Sequence, residues 1–555
     1  TIITTTTVTT PPTITTNSNI AITLSVRSAM FSDRDTLEKE SKTNVVVENV
    51  ELDNQLSAIL SLNDEVNHMD AKYMDEAFKY LDNDTGDFQM DPLEEKKFIR
   101  KVDWCVMPVI CGLMAVQMMD KTTNSYAALM GLRKDLTMSP EEYSWVGSSF
   151  YLGYLAFEWP ANLALQKLPL SKTLGSAIII WGIVLMCHAA CKSAPTFLLC
   201  RTLLGIFEGF MNPAYIILTS QWYRQEEQFL RTCLWYGFQG FGTIIGASIA
   251  YGLQENRGGY HAFATWKVFY IITGCITVFL GIVSLLHIPD VPVKAWFLNK
   301  RDKMYAIERS KSNLQGFGNK KFKVNQLIEA FRDPVTYCIF IYAFSYGIPN
   351  GGLNNFGSIL LNKDFGFSSS HASLMNMPGG GIDIVIPPLI AYLCHYKLKN
   401  FKLISMVIVN LLCVVGAALL AFTHPKGSRL TGYYLVYIST TNMAGTASLV
   451  SSNVAGHTKK LTVSTVLLVG YCVGNIVGPQ TYRESQAPGY AGAKTAMLVA
   501  YVVGAVALFI IYVVYVARNR RRATEREKAE QIIDKEKLAF SDLTDLKNPE
   551  FVYDL

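Results

Sequence analysis

The chain has 555 residues, half of them hydrophobic and only 17% charged, with a net charge of +5. A soluble domain carries roughly a quarter charged residues, so the composition points to an all-α membrane protein held in the lipid bilayer. It excludes most soluble-enzyme and nucleic-acid-binding readings, and no nucleic-acid partner is expected. The charge is polarised as well: Met30 to Glu95 holds 18 acidic and five basic residues, so the positive excess lies in the apolar body that follows.

The segment before Met30 is rich in Thr and lacks the basic-then-apolar pattern of a signal peptide. It reads as sequence preceding a start at Met30, or as an exposed Thr-rich stalk. Residues 1–95 together read as an acidic, unstructured cytosolic tail.

A helix needs about 20 apolar residues to cross the hydrocarbon layer. On that criterion the chain offers twelve spans. The first six fall at about 104–132, 142–161, 173–190, 196–218, 233–253 and 266–288. The second six fall at about 335–360, 371–393, 402–422, 431–451, 461–481 and 494–516. Ser139-Pro140-Glu141-Glu142 and Asp333-Pro334 supply helix starts for spans two and seven, and Ser370 is a candidate cap for span eight.

The long polar stretch at 289–334 divides the spans six and six. The expected organisation is therefore a first bundle over 96–288, a cytosolic loop over 289–334, a second bundle over 335–517 and a cytosolic tail over 518–555. Two such halves place a binding site at their interface near the bilayer midplane. Trp296 and Phe297, flanked by lysines and Arg301, make the central loop a candidate interfacial stretch, or equally a solvated linker. Loops on the side of the termini hold 19 Lys and Arg against nine on the other side. Positive charge marks the cytoplasmic side, so both termini are expected to be cytoplasmic.

Charges inside spans are costly and point to function. Span one carries Asp120 and Lys121 side by side, then Asn124; span four carries Arg201 and Glu208 seven residues apart, on one helix face. A base facing an anion, beside carboxyls that can take a proton, is a minimal proton-coupled anion site. The proton affinity of a buried carboxyl depends on the cation beside it, so an anion arriving at that cation alters it. The competing reading is a buried ion network that fastens spans one and four together, and Asp120 and Lys121 also suit the mouth of a pathway. Glu158 and Asp383 read as gate or packing groups. Gln239, Asn350, Asn354, Asn442 and Asn453 can line a cavity or bond neighbouring helices. Gly205 and Gly209, and Gly242 and Gly246, have the four-residue spacing of close helix contacts.

Other chemistry is missing. No Gly-Lys dipeptide and no G-x-G-x-x-G occurs, so no phosphate-binding loop supplies energy. The eleven cysteines form no C-x-x-C pair, and the nearest two, Cys187 and Cys191, sit one turn apart in an apolar stretch. With His188, His287, His371 and His457 scattered, neither a metal nor a disulfide framework is expected, and no cofactor.

Arg201-Thr-Leu-Leu-Gly205-Ile-Phe-Glu208-Gly209, followed by Asn212-Pro213, resembles span four of the anion:cation symporters of the major facilitator superfamily. Asp120-Lys121-Thr-Thr-Asn124 is similar to the span-one signature of the same group. Ala115-Val-Gln-Met-Met-Asp120-Lys121, Tyr143-Ser-Trp-Val146, Gln315-Gly-Phe-Gly-Asn319 and Ile348-Pro-Asn-Gly-Gly352 narrow the resemblance to the fungal allantoate permease family. Gly478-Pro-Gln-Thr481, Gln486-Ala-Pro488, Gly492-Ala-Lys494 and the tail Phe540-Ser-Asp-Leu-Thr-Asp545 with Asn548-Pro549 agree with it, from about Glu94 to Leu555.

The resemblance implies a monomeric carrier in the plasma membrane. It would take up allantoate, ureidosuccinate or related organic anions, small peptides included, together with protons. It assigns proton coupling to Asp120 and Glu208, and substrate binding to Lys121, Arg201 and Asn124, with Gln239 as a polar contact in span five. Two departures stand out: the loop from Asn162 to Ser176 lacks the Asp-Arg pair usual after span two, and span one carries Lys where many relatives carry Arg. Lysine is a point charge rather than a two-pronged fork. Alternatives are a carrier of another carboxylate, such as a vitamin or a sulfur-containing anion, and a nutrient sensor of the same fold that signals without transporting. An enzyme finds no support.

Overall fold

The computed structural model describes residues 91–256, 263–314, 323–397, 401–528, 543–548 and 551–555. The acidic N-terminal tail before Asp91, the Gln315–Asn319 motif and residues 540–542 lie outside them.

The described chain is built of helices. In the first half they are α1 (Pro92–Leu129), α2 (Pro140–Lys167), α3 (Leu170–Cys187), α4 (Ala194–Glu208), α5 (Met211–Trp222), α6 (Gln225–Gly237), α7 (Gln239–Glu255) and α8 (Thr265–His287). The central loop holds α9 (Lys300–Leu314) and α10 (Val324–Arg332). The second half holds α11 (Pro334–Lys363), α12 (Met377–Tyr396), α13 (Lys402–Phe422), α14 (Lys426–Tyr437), α15 (Thr440–Asn453), α16 (His457–Gln480) and α17 (Ala491–Lys528).

Several boundaries differ from the expected ones. Helix α1 begins at Pro92, capped by the Asp91 carboxylate on the Leu93 amide, so it extends into the segment assigned to the tail. The expected span four is two helices, α4 and α5. Pro213 has no N–H to bond the Gly209 carbonyl, and the chain turns there. Span five breaks at Phe238 into α6 and α7, and span ten between α14 and α15. Before span eight, Ser368 rather than Ser370 is the cap, and it starts the short helix Ser369–Leu374. The caps at Ser139, which forms a reciprocal pair with Glu142, and at Asp333 match their sequence signatures.

Among the described residues, eight helices are long and apolar enough to cross a membrane. The expected spans two, five, seven and ten are present as helices but fall outside that set of eight, because serines, asparagines, glycines and breaks dilute their apolar runs.

Two kinds of contact position the centre. The first is glycine at helix crossings. A Cβ at Gly205 would collide with the Phe150 carbonyl oxygen of α2, and one at Gly242 with the Ala115 carbonyl of α1. The second is charge at the face where α1 begins and α17 ends. There Lys459, 1% exposed, pairs with Glu329, Asp333 and Asp545. Arg518 holds Asp333 at 2.7 Å. Burial pushes the Asp333 carboxyl up, but Arg518 and Lys459 outweigh it and hold it below the usual range. The last residues dock on this network. Tyr553 stacks on Tyr515 and donates to Asp545, Asp554 exchanges two bonds with Asn453, and the Lys402 amide donates to the Leu555 carbonyl. Arg309 of α9 plays the same part in the first half, joining Glu95 to Glu227.

The close approach at Gly205 predicts that Gly205→Ala costs about 1–3 kcal/mol through overpacking. It should lower the thermal unfolding midpoint of the purified protein in detergent. Gly381→Ala, where a Cβ meets nothing within 4 Å, is expected to leave the midpoint unchanged.

Candidate functional site

Asp120, Lys121, Asn124, Arg201 and Glu208 come together where α1 faces α4. Lys121 Nζ lies 3.0 Å from Glu208 Oε1, which also accepts from Gln117 Nε2 at 2.9 Å. Gln117 and Lys121 are four residues apart on one face of α1, so both reach the same carboxylate. Asp120 turns the other way, into the α1–α8 contact, where the Thr277 hydroxyl donates to Oδ2 at 3.1 Å. Asp120 is fully buried, which places it inside the protein rather than at a mouth.

Arg201 and Asn124 form the next turn outward from the helix termini. Arg201 donates to Asn124 Oδ1 and to the Tyr270 hydroxyl, the latter at 3.0 Å; Tyr270 in turn donates to Asn124 Oδ1 at 2.6 Å. His188 stacks on the Tyr270 ring at 5.1 Å, its Nδ1 bonded to the Val184 carbonyl. Asn124 also donates to Asn355 of α11 at 3.2 Å, so it links the two halves. Arg201 and Asn124 are thus engaged by protein groups, whereas the Lys121 side chain keeps 15% exposure. Across the seam Tyr471 of α16, which packs against Tyr151 and donates to Asn350, lies within electrostatic reach of Lys121.

The cluster is neutral as a set, with two cations and two carboxylates. It is also incomplete: Asp120 Oδ1, Glu208 Oε2 and Arg201 Nε have no hydrogen-bond partner. Buried polar atoms left unpaired are expensive, so each is a position where a proton or a ligand group gains most.

Other expected residues fall elsewhere. Gln239 is half-buried at the break between α6 and α7, and among the described residues no hydrogen bond joins its side chain to the cluster. Asn442 bonds the Met406 carbonyl, and Asn453 bonds the C-terminal segment; both are helix or tail fasteners. Glu158 accepts from Asn162 one turn away. Gln117, Thr277, Tyr270 and Tyr471 escape a search for charges, although the Gln117–Lys121 spacing is a readable signal. Cys191 and Cys200, nine residues apart, bring their sulfurs to 3.7 Å as free thiols.

The halves are zipped together on the face opposite the one where α1 begins and α17 ends. Tyr143 donates to the Asn355 carbonyl, Ser125 accepts from the Ser358 amide, and Glu484 pairs with Arg133 at 3.4 Å and Lys363 at 2.8 Å. Partial burial pushes the Glu484 carboxyl up, but Lys363 and Arg133 outweigh it and hold it below the usual range.

Two helical halves around a buried ion cluster are an architecture suited to a transporter. The Major Facilitator Superfamily model matches residues 109–479, and the chain belongs to that superfamily, whose members here are transporters rather than enzymes. The chain is 41% identical to the allantoate permease of Saccharomyces cerevisiae, over 96% of this chain and 99% of that one. That alignment reaches well upstream of Glu94, into a segment where motif reading finds no likeness. An uncharacterised transporter of Schizosaccharomyces pombe is 40% identical over 88% of this chain and 95% of its own. A thiamine pathway transporter of Saccharomyces cerevisiae is 31% identical over 84% and 87%. Among solved structures, a proton:xylose symporter matches with a TM-score of 0.58 over 75% of this chain and 96% of that one, at 11% identity. At that identity it speaks for the fold alone.

Two tests follow. Tyr270→Phe strips Arg201 and Asn124 of a shared partner and should cost about 1.5–3 kcal/mol, read as a lower thermal midpoint at unchanged expression. A depressed carboxylate stabilises the closed face above the ordinary glutamate range, and that contribution fades only as pH falls through the depressed value. The Glu484 bridge should therefore survive from about pH 7 down to about pH 5. Spin labels at Lys134 and Ser485, in a cysteine-depleted background, should show one short distance across that range. Glu484→Gln should lengthen it at both ends.

Proposed function

We propose that this protein carries a small organic anion into the cell with protons, across the plasma membrane, and that the anion is allantoate or ureidosuccinate, with small peptides as further substrates. All twelve helical segments then cross the bilayer, both termini are cytoplasmic, the carrier works as a monomer, and the zipped face is the outer one. The proposal rests on one observation: the single partly exposed cation at the centre, Lys121, is already neutralised by fully buried Glu208 at 3.0 Å.

Charge balance then dictates the cycle. The cluster of Asp120, Lys121, Arg201 and Glu208 sums to zero, and an arriving carboxylate would leave a buried net charge of about −1, which a low-dielectric interior resists. A proton on Glu208 restores neutrality and releases Lys121 to bind the substrate carboxylate. Asp120, beside Thr277 and within electrostatic reach of Glu208, Arg201 and Lys121, shares that one proton with Glu208 as the other carboxyl of the relay. Arg201 and Asn124 hold the cluster to α11, so a change of charge at the centre reaches the contact between the halves. The halves rock about this site.

The relative named as an allantoate permease supports the choice of anion, and the thiamine pathway relative keeps a vitamin-type solute open as the alternative.

Labelled allantoate uptake in a Saccharomyces cerevisiae strain lacking its own permease tests the reading. Saturable uptake, several-fold faster at about pH 5 than at about pH 7, is expected, with ureidosuccinate competing. Lys121→Met and Glu208→Gln should each reduce it about tenfold or more at equal surface abundance. Absence of uptake by surface-localised protein would discard allantoate. Concentrative uptake after collapse of the proton gradient would discard proton coupling.

A further inference from the structure

The first half carries its carboxyls in α1 and α4. The second half holds one that the cycle above leaves unused: Asp383 in α12, 2% exposed, with Oδ1 lacking any hydrogen-bond partner. Among the described residues it forms no ion pair. The Thr440 side chain at the start of α15 is within hydrogen-bonding reach. Tyr437 of α14 and Tyr346 of α11 are the titratable groups that face it. On its backbone side α12 is packed against the first half, where a Cβ on Gly237 would lie 3.0 Å from the Asp383 carbonyl.

Position gives this residue its meaning. The groups nearest the Asp383 carboxyl, Thr440, Tyr437 and Tyr346, come from α15, α14 and α11, so it lies inside the second half. Its helix also lines the seam between the halves. Gly240 and Gly380 meet backbone to backbone there, and a Cβ on Gly240 would collide with the Gly380 carbonyl. The Asp383 carboxyl is thus buried on a helix that lines the seam, and among the described residues no cation pairs with it. An ionisable side chain so placed within a span, without a counter-ion, marks a proton pathway more readily than a fastener.

We propose that Asp383 is a proton-binding site of the second half, loaded and emptied once per cycle. The inference rests on the proton-coupled reading above and goes beyond it in stoichiometry. One proton at the Glu208 cluster and one at Asp383 accompany each monovalent anion, so each turn moves one net positive charge inward.

Purified full-length chain in proteoliposomes, with labelled allantoate as the probe, tests this. Wild type should be accelerated by acid outside and, separately, by an inside-negative potential, with accumulation rising about tenfold per 60 mV. Asp383→Asn should keep acid-stimulated uptake and allantoate counterflow but lose the response to potential. Asp383→Glu, which keeps a carboxyl, should retain that response. A wild type stimulated by acid yet indifferent to potential overturns the second proton and leaves the symporter reading intact. An Asp383→Asn variant still driven by potential overturns the assignment to this residue. A wild type indifferent to acid defeats the underlying reading instead. If Asp383→Asn does not transport, protons taken up on adding allantoate to detergent-solubilised protein decide: one fewer than wild type supports the site, and an equal number removes it.

Discussion

The low dielectric of the membrane interior makes a net buried charge intolerable, and the architecture at the centre of this chain follows from that constraint. Lys121 and Arg201 enter the helical core only because Asp120 and Glu208 enter with them. Neutrality alone would be met by four fully bonded groups, a rigid rivet. Here the pairing is partial: Glu208 spends one oxygen on Lys121 and Gln117, and leaves the other unbonded. Such a cluster can keep its balance by exchanging one charged partner for another, which is the exchange that the proposed symport uses.

How completely each ion cluster is satisfied separates three roles. Lys459 is surrounded by Glu329, Asp333 and Asp545 and is almost inaccessible; losing any one carboxylate still leaves it paired. That is a fixed clamp, binding the start of α16, the start of α11 and the C-terminal segment. The Arg133–Glu484–Lys363 bridge is open to solvent, where an ion pair is worth little alone. It suits a contact that must break and re-form. The central cluster is both buried and under-bonded, a combination neither of the others has.

Much of this is legible from the sequence, for a physical reason. A charge within an apolar run is so costly that Asp120, Lys121, Arg201 and Glu208 stand out without a fold, and the seven-residue interval between Arg201 and Glu208 already puts both on one face of α4. Helix starts that use side-chain caps, Ser139 and Asp333, are equally plain. Breaks inside spans are harder, because one proline such as Pro213 kinks some helices and ends others. Uncharged partners are invisible: Tyr270, Thr277 and Tyr471 belong to the site only through helix rotation, which hydropathy does not fix. Gln239 is the converse case, a polar residue in the expected span that lies at a helix break and, among the described residues, makes no side-chain hydrogen bond to the cluster.

The seam explains why glycine recurs where charge does not. Two halves that rock must touch closely enough to seal and smoothly enough to slide. Gly240 against Gly380, and Gly237 against the backbone of α12, meet both needs because backbone surfaces have no side chains to interlock. Asp383 follows Gly380 by three residues on the same helix, buried and without an ion pair among the described residues. The proton site proposed for the second half would therefore stand about one turn from the surface along which the halves touch.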